Sequence, residues 1–84
     1  MTKSGIPDIL ACVNGYFLAI EVKAPKGKPS ELQYYHQDQI RESGGISIIL
    51  YPDQFEDFKC LVADLLNKPN TKEIWWDQQQ FDRN

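Results

Sequence analysis

Two acidic residues and a lysine flank a pair of apolar runs near the start of the chain. Asp8 precedes the first run, and Glu21 and Lys23 end the second. Asn14-Gly15 separates the runs, and this dipeptide favours a type I′ hairpin turn because both of its central residues take positive φ. Counting outward from the turn places Asp8 opposite Glu21, with Lys23 on the same face as Glu21.

This arrangement predicts a site for a divalent cation. Directly opposed side chains on paired strands lie roughly 4.5–5.5 Å apart, so two carboxylates there repel each other unless a cation compensates their charge. A Mg²⁺ ion bound by carboxylates polarises a phosphoryl oxygen and activates water, and a nearby ammonium stabilises the charge that develops on phosphorus. The alternative is a plain surface Asp and an exposed Glu–Lys pair, with no chemical role.

The elements around these residues predict a small mixed α/β fold. Strands are expected over residues 9–13 and 16–23, followed by a loop over 24–29 that contains two prolines and a glycine. A helix should then lead to an apolar strand over 46–51. Because a crossover helix joins them, we expect the second and third strands to be parallel. Continuous apolarity in the third strand suggests that both of its faces are covered.

The crossover helix is expected to run from Ser30 to about Ser43. Ser30 and Gln33 match a capping box, and Gly44-Gly45 is a helix-end signal. The predicted apolar face of this helix is thin and consists of Leu32, Tyr35 and Ile40.

A second helix should follow the third strand, with Asp53 as its N-cap and its end near Leu66. Its apolar residues recur at helical spacing; they are Phe55, Phe58, Leu61, Val62, Leu65 and Leu66. A short edge strand or a packed tail is expected at 74–76. We therefore predict one domain over residues 1–84, with a core over about 4–66 and a C-terminal tail over 67–84.

Composition places the chain among small globular domains. It has 84 residues and a net charge of −3, which argues against a generic nucleic-acid binder. Lys23, Lys26 and Lys28 nevertheless lie beside the expected cation site. Cys12 and Cys60 lack metal-ligand spacing, so two buried free thiols are expected. No signal peptide and no membrane-spanning run are evident, so an intracellular, soluble protein is expected.

The motif can be written as Pro-Asp, twelve intervening residues, then Glu-x-Lys. Together with Gly5-Ile6 before it, the Pro-Gly-Lys loop, Gln33 and Gly44-Gly45, it resembles the virus-type replication-repair nuclease (VRR-Nuc) domain of the PD-(D/E)xK superfamily. The resemblance covers residues 4–51. Members commonly carry an earlier helix with a further glutamate. Only seven residues precede Asp8 here; the chain is truncated, is a minimal form, or takes that acid from a second subunit.

The resemblance implies a restriction-endonuclease-like core and Mg²⁺- or Mn²⁺-dependent cleavage of DNA, on structured or branched substrates and as a homodimer. Asp8, Glu21 and the Val22 carbonyl would bind the metal, and Lys23 would act on the attacking water or on the developing charge. Gln33 would hold a phosphate or that water. Its place in the capping box is the alternative explanation, and it involves no role in the site.

Several nearby residues are weaker candidates for substrate contacts. The predicted substrate-binding residues are Lys26, Lys28, Tyr34 and Gln37. His36 is either solvated or in contact with substrate or metal. Trp75 and Trp76 either fill a core or subunit interface or stack on bases.

Two other functions remain open on the sequence. One is a non-catalytic DNA- or protein-binding module that retains the nuclease fold. The other is a small structural or interaction protein without a nucleic-acid partner.

Overall fold

The computed structural model of the chain describes residues 6–69. These residues form a small α/β domain in which a three-stranded mixed sheet is flanked by two helices, as predicted. The strands lie in the order β1-β2-β3. In chain order the elements are β1 (Ile9–Val13), β2 (Tyr16–Val22), α1 (Glu31–Glu42), β3 (Ile46–Leu50) and α2 (Phe55–Leu66).

The hairpin forms at the predicted turn and in the predicted register. Asn14 and Gly15 have φ values of 53° and 86°, the positive values that a type I′ turn needs. The antiparallel β1–β2 ladder runs from Val13↔Tyr16 to Ile9↔Ile20. The β2–β3 pairing is parallel, as the crossover helix predicted.

Helix α1 begins at the predicted capping box. The Gln33 backbone N–H donates to the Ser30 Oγ (3.1 Å), and the Ser30 N–H donates to the Gln33 side-chain oxygen (2.8 Å). The helix ends before Gly44, whose φ of 93° favours glycine.

The predicted apolar face of α1 is wrong for two of its three residues. Leu32 and Tyr35 are 44% and 56% exposed, whereas Gln37 is buried. The reason lies in β3, because the carbonyl of Ser47 faces α1 and needs donors. Gln37 Nε2 (3.2 Å) and Arg41 Nη2 (2.8 Å) both donate to that carbonyl oxygen, so polar residues orient the helix.

The start of α2 also differs from the prediction. Asp53 is not the N-cap; it lies inside a 3₁₀ turn, Pro52–Gln54, and Gln54 precedes the helix without a side-chain cap. Proline fixes φ near the helical value, so the tight turn starts at Pro52, two residues before the α-helix cap. Phe55 is 52% exposed, so the apolar stripe contributes less to the core than its spacing indicated.

The core is centred on β2. Leu18, Ala19 and Ile20 are 0%, 0% and 3% exposed, and Leu65 of α2 is equally buried at 3%. Because strand side chains alternate, the two helices must cover opposite faces of β2 to bury three consecutive residues. Neither helix within residues 6–69 has the length and apolar composition needed to cross a membrane.

The two cysteines are free, as expected, but they are exposed rather than buried. Cys12 pairs with Phe17 on the outer strand of the hairpin. Helix α1 packs on β3 instead of β1, so it does not cover this part of the sheet. Trp75, Trp76 and the strand or tail predicted at 74–76 lie outside the described residues.

The C-terminal end of α2 is tied to the hairpin turn. Asn14 Nδ2 donates to the carbonyl oxygens of Leu65 (2.9 Å) and Lys68 (2.8 Å). The Tyr16 hydroxyl donates to the carbonyl oxygen of Pro69 (2.9 Å). One turn residue thus joins segments more than fifty positions apart in sequence.

We expect Asn14→Asp to destabilise the fold by about 1–3 kcal/mol, because the exchange removes the donor and sets a carboxylate against two carbonyl oxygens. Asp still tolerates positive φ, so the turn conformation itself is preserved. Urea denaturation measures the change. The matched control is Asn67→Asp, since Asn67 Nδ2 donates only within its own helix end, to the Ala63 carbonyl. Equal losses in the two variants would contradict the tethering role of Asn14.

Candidate functional site

Glu21 is the centre of the candidate site. Its side chain projects from β2 on the α1 side and is 12% exposed. Gln33 Nε2 donates to its Oε2 atom (2.6 Å), and Lys23 Nζ lies 3.4 Å from the same atom. The structure therefore gathers three of the four predicted catalytic side chains around one carboxylate oxygen.

Gln33 performs two structural tasks at once. Its Oε1 accepts the Ser30 N–H of the capping box, while its Nε2 binds Glu21. An amide has an acceptor at one end and donors at the other, so the cap and the site contact do not compete. The capping box consequently fixes the first turn of α1 against the candidate site.

Asp8 reaches the same end of the sheet in a different way from the one predicted. The strand ladder stops at Ile9↔Ile20, so Asp8 and Glu21 are not a ladder pair. Instead, Asp8 Oδ2 accepts the backbone N–H of Val22 (2.9 Å). This bond lies beyond the last ladder pair of the hairpin. It holds the Asp8 carboxylate beside Val22, the residue between Glu21 and Lys23.

The direction of the Val22 carbonyl follows from the sheet. Backbone groups of successive strand residues point to opposite neighbours. Lys23 N–H donates to the Leu50 carbonyl of β3 (3.0 Å), so the backbone groups of Val22 point to the other side, towards Asp8. The predicted third oxygen ligand therefore lies on the side of β2 where Asp8 is held.

Within residues 6–69, Lys23 is the one cation that forms an ion pair with Glu21. Its side chain is 19% exposed, so solvent screens its interaction with Glu21 less than it would on an open surface. Asp8, Glu21 and Lys23 together carry a formal charge of −1. The cluster is thus suited to a cation, and its ammonium is suited to an anion.

The loop after β2 carries the predicted substrate-binding lysines. Lys26 and Lys28 are exposed, and Gly27 between them is held by the Tyr51 hydroxyl, which donates to its carbonyl (2.9 Å). A groove of about 490 Å³ separates this loop from residues 51–54. Sequence reasoning missed the role of Tyr51, because the contact joins loops after two neighbouring parallel strands and leaves no local signal.

The remaining candidates on α1 are Tyr34, His36 and Gln37, and they differ in exposure. Tyr34 is 49% exposed next to Gln33, whereas Gln37 is 8% exposed and its amide is engaged with Ser47. His36 lies edge-on to Tyr35 with ring centroids 5.6 Å apart. Gln37 therefore lies behind Glu21 and Gln33, beside a cavity of about 10 Å³ that has room for a single water molecule at most.

Asp8, Glu21 and the Val22 carbonyl are the oxygen donors at this end of the sheet. Across residues 6–69, no three His, Cys, Asp or Glu side chains gather as a metal-binding group. Two carboxylates and a backbone carbonyl are oxygen donors of the type that Mg²⁺ accepts while keeping several waters.

Comparisons with protein-family models, curated proteins and solved structures gave no match to this chain.

Proposed function

We propose that this chain is a Mg²⁺- or Mn²⁺-dependent DNA endonuclease that hydrolyses phosphodiester bonds in structured or branched DNA. The observation that carries the proposal is the convergence of Gln33 and Lys23 on the Glu21 Oε2 atom, beside an Asp8 anchored on Val22. The VRR-Nuc resemblance of residues 4–51 supplies the substrate class, and it also motivates the expectation of a homodimer.

In this proposal Asp8, Glu21 and the Val22 carbonyl hold the cation. When bound, the cation supplies Lewis-acid polarisation of a phosphoryl oxygen and a lowered pKa for a coordinated water. The chain's own contribution is orientation. Gln33 fixes one carboxylate oxygen of Glu21, and the Val22 N–H fixes Asp8.

Lys23 supplies a positive charge at a defined place. Its Nζ atom lies 3.4 Å from Glu21 Oε2, so the ion pair holds the ammonium in one place. A fixed ammonium stabilises negative charge that develops on the phosphoryl group, and it costs little reorganisation during reaction. Lys26 and Lys28, on the loop held by Tyr51, would contact neighbouring phosphates of the DNA backbone.

Cation binding should raise the melting temperature of the protein, because a ligand that binds only the native state stabilises it by mass action. At Mn²⁺ concentrations about 100 times Kd the expected gain is about 2.7 kcal/mol. Thermal unfolding with and without Mn²⁺ measures the gain. Glu21→Gln should abolish it.

The control for the cation experiment is Asp57→Asn, which removes an exposed acid in the first turn of α2. That variant should keep the full response to Mn²⁺. An equal loss of response in both variants would indicate general charge binding and would contradict the assigned ligands.

Cleavage of a branched DNA duplex in Mg²⁺ or Mn²⁺ tests the catalytic part of the proposal. A non-catalytic DNA-binding module with the same fold would bind the duplex without cutting it, and a non-catalytic protein-binding module would not cut it either. An interaction protein without a nucleic-acid partner would neither bind DNA nor respond to the cation.

A further inference from the structure

Strand β1 is an edge strand, and no other strand lies on its outer side in the described part of the chain. The Val22 N–H points from β2 towards β1, and backbone groups alternate in direction along a strand. Ile20, two residues before Val22, therefore exchanges hydrogen bonds with Ile9, its ladder partner. By the same alternation, the N–H and C=O groups of Leu10 and Cys12 point away from β2. A row of such groups is a template for a further strand.

The opposite edge of the sheet, along β3, is protected. The Leu50 carbonyl points to β2, where it accepts the Lys23 N–H, so the Ser47 carbonyl, three residues earlier, points outward. Gln37 Nε2 and Arg41 Nη2 of α1 both donate to that carbonyl. Covering an edge with another element is one of the ways in which proteins prevent strands from pairing. Helix α1 protects β3 in this way.

Strand β1 has none of the features that prevent pairing. Its sequence, ILACV over Ile9–Val13, contains no charged residue and no proline. Each of its residues pairs with a single residue of β2, so the strand has no bulge. Ile9 and Leu10 are 46% and 60% exposed. A regular, apolar edge strand of this kind pairs readily with another strand.

The β1 edge is complementary to itself. In an antiparallel pair centred on Ala11, Leu10 of each copy faces Cys12 of the other, and Ile9 faces Val13. The outward N–H and C=O groups of Leu10 and Cys12 then bond to each other, because hydrogen-bonded pairs form between outward-pointing residues. No like charges are brought together, since the strand carries none.

The size of the core favours a second copy of the chain as the partner. The buried apolar residues of the described part are Leu18, Ala19, Ile20 and Leu65. A chain of 84 residues buries a limited share of its surface, and oligomerisation is one way in which small domains gain further burial.

We propose that two copies of the chain associate through β1, paired antiparallel about a two-fold axis at Ala11, and form one continuous six-stranded sheet. Such an interface is isologous, because the same residues of both copies form it. The axis is perpendicular to the sheet, so Glu21 of both copies lies on the same face. The expectation of a homodimer rests on the proposed function, whereas the choice of interface rests on the β1 edge alone.

The molar mass of the native protein, measured by light scattering over a dilution series, tests the association. We expect twice the monomer mass at high concentration. Leu10→Lys should give a monomer at concentrations where the wild type is a dimer, because lysine on an edge strand opposes pairing. The matched control is Tyr35→Lys. Tyr35 is 56% exposed on α1, which packs on β3 at the far side of the sheet, so this variant should keep the dimer.

Cross-linking tests the register. The two-fold axis places Ala11 opposite its own copy in a pair without hydrogen bonds, with Cα atoms about 4.5 Å apart and within reach of a disulfide. Ala11→Cys, made together with Cys12→Ser and Cys60→Ser, should form a covalent dimer on mild oxidation. Cys60→Ser alone should not, because the two Cys12 residues are offset by two positions. This measurement decides the matter if Leu10→Lys fails to fold.

A wild-type protein that stays monomeric at high concentration would overturn the proposal, as would a dimer that Leu10→Lys and Tyr35→Lys affect equally. Covalent dimers formed through Cys12 and not through the Ala11 variant would exclude the proposed pairing. These failures differ from failure of the nuclease proposal. A monomer that cleaves DNA would contradict only the interface, and a β1-paired dimer that does not cleave DNA would contradict only the activity.

Discussion

Lys23→Met should reduce DNA cleavage by roughly 10²–10³-fold, the usual effect of removing one preorganised group that stabilises transition-state charge. Methionine keeps the length and apolar stem of the side chain, so the main loss is the ammonium beside Glu21. Single-turnover cleavage of a branched duplex measures the rate, and a gel-shift assay in Ca²⁺ measures binding. Binding should change much less than cleavage.

The control for this variant is Lys59→Met. Lys59 also forms an ion pair, with Nζ 3.0 Å from Glu56 Oε2, but it lies on α2 and is 54% exposed. Its replacement should leave the cleavage rate unchanged. If the Lys23→Met variant cleaves DNA at the wild-type rate, the catalytic role proposed for Lys23 is wrong. Equal losses of cleavage rate in both variants would indicate an effect of overall charge.

Leu18→Ala should destabilise the protein by about 2–5 kcal/mol, the largest stability effect that we expect from a single truncation. Leu18 is 0% exposed, and it pairs with Ala11 of β1 and Ile46 of β3. Truncation leaves a cavity at the centre of the sheet, and its neighbours are held by backbone pairing and cannot fully collapse into it. Urea denaturation gives the change in the free energy of unfolding.

Leu66→Ala is the matched truncation at an exposed position. Leu66 is 61% exposed at the end of α2, so its loss should cost less than about 0.5 kcal/mol. A similar cost for both variants would contradict a core centred on β2. The loss of stability expected for Leu18→Ala would also lower the cleavage rate indirectly. This variant is therefore used only to measure stability.

Local chemistry made much of the fold predictable. The Asn14-Gly15 dipeptide determined the turn, and the turn determined the register of the first two strands, because a two-residue loop leaves one way to count the pairs. Ser30 and Gln33 determined the start of α1 in the same local manner. Parallel pairing of β3 followed from the length and position of the crossover helix.

Local chemistry was insufficient wherever a partner on another element decides the orientation of a helix or strand. The Ser47 carbonyl turns Gln37 and Arg41 of α1 towards the sheet, so Leu32 and Tyr35 face outward. Cys12 is exposed because α1 lies over β3 and not over β1. Periodicity in a sequence identifies a helix face but does not say which polar group on another element that face must satisfy.

In the candidate site, too, some contacts follow from local rules and others depend on the tertiary structure. The sequence by itself determined that Glu21 and Lys23 share a strand face and that Asp8 lies near the end of that strand, because side-chain alternation and turn length are local rules. Only the tertiary structure decided that Asp8 binds the Val22 N–H and that Gln33 joins its helix cap to Glu21. The Gln33–Glu21 contact requires a helix and a strand at a fixed distance, and that distance is set by packing over the whole sheet rather than by neighbouring residues. The Asp8 contact depends on where the β1–β2 ladder ends, which counting from the turn does not give.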